Sequence, residues 1–182
     1  TMTIDNVNAV SGHGLIASRV INNTGIRSSG GTLVVQTAGN DNDWDGAAND
    51  ASLHAQTNST LELRDNATFA FTGAVSTFSG GKVFANGFAL DFNPGSSLFL
   101  NSNGTYQSTS STDIGGVVTT SAGPASTIEV ANNFFLTFEP TSSTTLDANL
   151  RLVNNNINVV TIAFKRCSTK SIAQSFIPLI ND

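Results

Sequence analysis

Asp41-Asn42-Asp43-Trp44-Asp45-Gly46 carries the densest chemistry in this sequence of 182 residues. Three carboxylates alternate along the chain and a glycine permits a sharp turn, as in the first half of a calcium loop. With Asp41 as position 1, position 7 is Ala47, position 9 is Asn49 and position 12 is Ser52. The bidentate Glu usual at position 12 is missing, and Asp50 is the nearby substitute. The expected metal ligands are Asp41, Asp43, Asp45, Asn49 and Asp50, and the expected cofactor is calcium. Without a cation those carboxylates repel one another. The alternative is an acidic, solvated turn inserted between strands. Trp44, the one tryptophan, either stacks on a sugar as a ligand contact or folds back as a plug over apolar surface.

The other candidates are scattered. His13 and His54 are the two histidines, too few for a transition-metal site. His54 follows Leu53 in an expected strand and reads as an outward or satisfied side chain. No Gly-x-Ser-x-Gly elbow occurs, so no catalytic residues are assigned. Glu62, Asp91, Asp113 and Glu129 are the carboxylates from which a glycosidase pair would be drawn, with Glu62 and Asp91 expected on one outer face. A lyase also needs a basic partner, and only Arg19, Arg27, Arg64, Lys82 and Arg151 precede the last residues. The expectation is no enzyme. Threonine rows of the ice-binding kind would need a Thr-x-Thr in each coil, which is absent.

Composition bounds the fold. Asn, Ser and Thr number 21, 21 and 22, while charged residues are 12% and hydrophobic residues 39%, including twelve Phe. A disordered chain would be poorer in apolar residues, and a helical bundle richer in Ala, Leu, Glu and Lys. The net charge of −5 argues against nucleic acid and against an anionic membrane surface. No stretch suits a transmembrane helix, and no signal peptide begins at Thr1. The single cysteine, Cys167, builds no disulfide framework within the chain.

Apolar residues recur in alternating pairs: Leu33 and Val35, Leu61 and Leu63, Phe69 and Phe71, Leu90 and Phe92, Leu98 and Leu100, Ile128 and Val130, and Leu136 and Phe138. A spacing of two puts each pair on one face of a strand. Turn formers such as Asp65-Asn66, Asn93-Pro94-Gly95 and Gly123-Pro124 separate them. Hairpin turns of the Asn-Gly kind between clean strands are scarce, and Asn, Ser and Thr recur beside the strands where stacked coils form ladders. The expected fold is all-β: a right-handed parallel β-helix, or β-solenoid, of roughly seven coils. A jelly-roll β-sandwich is the alternative. Residues 1–160 form the solenoid domain, with an acidic insertion at 39–51, and residues 161–182 a C-terminal tail or cap.

Residues 14–35, Gly-Leu-Ile-Ala-Ser-Arg-Val-Ile-Asn-Asn-Thr-Gly-Ile-Arg-Ser-Ser-Gly-Gly-Thr-Leu-Val-Val, resemble filamentous-haemagglutinin-like and autotransporter-passenger-like bacterial repeats. Residues 58–69, 95–100 and 110–118 share the cadence, and the likeness covers about residues 11–156. It implies a non-enzymatic structural or adhesive module of an exported bacterial protein, secreted or at the cell surface. The alternatives are a carbohydrate-binding or carbohydrate-cleaving β-helix, and a unit that self-assembles through its solenoid ends. The expected partners are a surface glycan or further copies of the chain.

Overall fold

Short alternating strands without hairpin turns must pair with a strand one turn later, and the described strands do so. The computed structural model describes residues 1–5, 9–36, 42–46, 51–131, 134–144, 150–154 and 162–164. β1 (Met2–Ile4) and β2 (Val10–Ile16) form the first rung, and β3 (Val20–Asn22) and β4 (Gly25–Val35) the second. β5 (Ser52–Ala55) and β6 (Thr60–Arg64) belong to the third. Each later rung has three strands. The fourth has β7 (Phe69–Phe71), β8 (Ala74–Thr77) and β9 (Lys82–Asn86), and the fifth β10 (Leu90–Phe92), β11 (Ser97–Leu100) and β12 (Thr105–Ser108). The sixth has β13 (Thr112–Ile114), β14 (Val117–Thr120) and β15 (Ser126–Val130), and the seventh β16 (Leu136–Phe138), β17 (Ser143–Thr144) and β18 (Leu150–Asn154). β19 (Ile162–Phe164) pairs with β16 and carries the stack past residue 160.

Every strand pairing among the described residues is parallel, which excludes the jelly-roll sandwich. The rungs make a β-solenoid of about six turns, close to the seven coils expected. The first face stacks the opening halves of β2 and β4, then β5, β8, β11, β14 and β17. The second stacks their closing halves, then β6, β9, β12, β15 and β18. The third carries β7, β10, β13, β16 and β19. Partners one rung apart are 16 to 28 residues apart in sequence, and 22 to 24 along the column Leu61, Val83, Tyr106, Ile128, Leu152.

Inward columns hold the core. Ile26, Leu53, Val75, Leu98 and Val118 stack behind the first face, and Leu33, Leu61, Val83, Tyr106 and Ile128 behind the second. Phe71, Phe92, Ile114 and Phe138 stack behind the third, and all these residues are buried. Phe92 meets Phe71 and Tyr106 edge-on, with centroids 6.0 and 5.3 Å apart. Like residues stack on like because a parallel column repeats the same environment at each rung.

The corner between the first and second faces repeats as well. Asn58, Gly80 and Asn103 occupy it on successive rungs with φ of 52°, 68° and 58°. Only Gly and, at modest cost, Asn adopt that left-handed conformation readily. The amides of Asn58 and Gly80 donate to the carbonyls of Ser79 and Ser102 on the next rung, so the corner continues the strand ladder. The described residues contain no helix long and apolar enough to cross a membrane.

Candidate functional site

The acidic motif is only partly a loop. Asp41, Asn49 and Asp50 lie outside the described residues, so the ligand set is placed only through Asp43 and Asp45. Asp43 bridges in parallel to Ile21: its amide donates to the Val20 carbonyl at 2.8 Å, and its carbonyl accepts from Asn22 N at 2.9 Å. Residues 42–46 thus form part of a rung, and residues 39–41 and 47–50 of the expected insertion lie outside the described residues. Asp43 Oδ1 accepts from Gly46 N at 2.7 Å and closes the turn. Asp45 is buried, and its Oδ2 accepts from both Thr72 N (2.7 Å) and Thr72 Oγ1 (2.6 Å) on the next rung. One oxygen of each carboxylate therefore ties the backbone together.

Trp44 is 0% exposed, with its ring stacked on Phe88 at 5.8 Å between centroids and 18° between planes. Of the two roles open to Trp44, the side chain is the plug and not a surface ring for a sugar. Burying so large an apolar surface outweighs leaving it on a turn.

The four carboxylates considered for chemistry separate into two places. Glu62 and Glu129 share an outward column on the second face, interrupted by Phe84 and Gln107. Three rung spacings, roughly 14 Å, keep them from acting as a pair. Burial opposes ionisation of Glu62, but hydrogen bonds from Arg64 Nε (2.7 Å) and Asn86 Nδ2 (2.8 Å) outweigh it and hold the carboxyl below its ordinary pKa. Asp91 lies on β10 of the third face, so Glu62 and Asp91 do not line one outer face as expected. Asp113 N donates to Asp91 Oδ1 at 2.9 Å, so those two residues are neighbours on adjacent rungs.

A notch of about 350 Å³ opens beside them. The corner from the third face to the first runs through Asn93-Pro94-Gly95-Ser96 on one rung and Glu139-Pro140-Thr141-Ser142 two rungs on. Both are closed by the same bonds: Ser96 N to Asn93 O at 3.0 Å, and Ser142 N to Glu139 O at 2.9 Å. Between them, Gly115-Gly116 joins β13 to β14 directly and leaves out that turn. The missing turn makes the notch. Pro94 and Pro140 form its walls, Gly115 lies in its lining, and Asp91, Asp113 and Glu139 supply its carboxylates. Gly116 is required there, because a Cβ would collide with the Ser96 side chain and carbonyl. Glu139 carries no local motif that singles it out in the sequence. Its place two rungs from Asp91 was readable only with the coil length known.

Burial, and then the charge of Asp113, raise the pKa of Asp91 above 3.8; the hydrogen bond from Asp113 N opposes the shift without cancelling it. The folded state therefore holds this proton more tightly than the unfolded chain. Stability associated with Asp91 falls as pH rises through the window above 3.8. Asp91→Asn keeps an acceptor for Asp113 N and removes the charge. Thermal midpoints measured from pH 3 to 7 are expected to show the variant gaining on wild type as pH rises, with the difference gone at the acid end. A variant less stable than wild type at pH 7 would contradict this assignment.

His54, on the first face, has Nδ1 hydrogen-bonded to Ser76 Oγ. Burial, and then the Arg27 charge, lower its pKa. It is a satisfied side chain, as expected. No family model, curated protein or solved structure matches the chain.

Proposed function

We propose that this chain is a non-enzymatic β-solenoid module of an exported bacterial surface protein, acting by contact. It presents its outer faces and corners to a glycan, in the manner of the haemagglutinin-like repeats that its sequence resembles. The notch carries the proposal. Its carboxylates accept hydrogen bonds from sugar hydroxyls, and its proline walls offer apolar surface to a sugar ring. Its lining includes no Lys or Arg among the described residues, so the basic partner that a lyase needs beside its carboxylates is not supplied.

The test incubates the chain with a panel of neutral and acidic polysaccharides and measures retention and new reducing ends. Retention of a neutral polysaccharide is expected, without cleavage, and weakened at least tenfold in Asp113→Lys with the far-UV spectrum preserved. Reducing ends that disappear in Asp113→Asn would replace contact with hydrolysis by the Asp91–Asp113 pair. Failure to retain any member of the panel would remove the glycan from the proposal.

A further inference from the structure

We infer that the first face is a self-association surface, on which two copies of this chain pack side by side with their solenoid axes parallel. The face consists of two outward columns. One holds Gly25, Ser52, Ala74, Ser97 and Val117, and the other Arg27, His54, Ser76, Phe99 and Thr119. Phe99 is 38% exposed, Val117 44%, and Phe78 at the adjoining corner 37%. On an ordinary solvated strand such positions are polar.

Charge selects the occupant. The molecule carries −5, so bringing most of its surface against a second copy opposes like charges. The strands of the first face contain no Asp or Glu, and their only formal charge is that of Arg27. This face therefore meets its own copy without setting carboxylate against carboxylate.

Shape agrees with a twofold axis running along the solenoid between the two faces. That axis keeps each rung level with itself and sets one column opposite the other. Gly25 is buried, but His54 and Phe99 face Ser52 and Ser97 of the second copy, so large side chains meet small ones on two rungs. Sheets packed this way lie about 10 Å apart and nearly aligned. Seven rungs at about 4.8 Å and four-residue strands at about 3.3 Å per residue offer roughly 400 Å² per copy. That is about half of a standard interface, so the pairing is weak and depends on concentration.

Sedimentation velocity from about 10 μM to 1 mM tests this, a range that brackets weak association. Wild type is expected to shift from monomer to dimer and to stop there, because a face-to-face pair is closed. Phe99→Glu is expected to stay monomeric across the range with an unchanged melting midpoint. Leu15→Glu, at a 63% exposed position on the first rung, separates this from end-to-end stacking. It should dimerise like wild type. A monomer at 1 mM, an open ladder of sizes, or association lost in Leu15→Glu and kept in Phe99→Glu would each overturn the inference.

Discussion

Replacing Trp44 with alanine is expected to lower stability by about 3–5 kcal/mol, the usual cost of deleting a large buried aromatic. For a chain of this length that is a fall of roughly 10 °C in Tm. The side chain has no exposed surface, and its stacking partner Phe88 is itself buried. Removing the ring leaves a void between rungs that a strand ladder cannot collapse to fill. Trp44→Phe is the control. It keeps a ring against Phe88 and discards an indole N–H that has no acceptor among the described residues, so it should cost far less. Urea midpoints with unchanged slope report both values. Equal losses in the two variants would show that packing on Phe88 does not hold this rung.

Asp45→Ala is expected to cost about 2–4 kcal/mol, because it strips a buried carboxylate from two Thr72 donors on the next rung. The loss should persist in chelator, since these bonds belong to the polypeptide. Asp43→Ala separates the metal from the scaffold. We propose that calcium binds at the acidic segment, so adding it should raise the wild-type midpoint by several degrees and leave Asp43→Ala unmoved. Matching wild-type curves with calcium and with chelator would remove calcium and leave a structural motif. An Asp45→Ala loss that appears only with calcium would mean that the carboxylate acts through the ion.

The glycan proposal and the self-association inference use different surfaces. The notch opens at the corner between the third and first faces, whereas the paired columns lie on the first face itself. Asp113→Lys and Phe99→Glu should therefore each disturb one behaviour and spare the other.

The all-β class was legible in the residues alone. Spacing of two between apolar residues marks the strands, and the scarcity of hairpin turns favours pairing across turns. Leu61 and Leu63, or Leu90 and Phe92, point inward as their alternation requires. Asn58 and Asn103 mark corners because a left-handed turn restricts the choice of residue. These are local matters of backbone sterics and strand geometry, and a linear sequence carries them in full. Register is not local. Coils of 16 to 28 residues without a strict repeat let each rung slide relative to the next until side chains pack. Packing between rungs therefore sets Asp91 beside Asp113, puts Glu62 on another face and lets Gly115-Gly116 leave a notch. The same holds for Trp44 and Asp45. Their motif specifies oxygen atoms and spacing, but Phe88 and Thr72, 44 and 27 residues further on, turn one side chain inward and commit the other carboxylate to the scaffold.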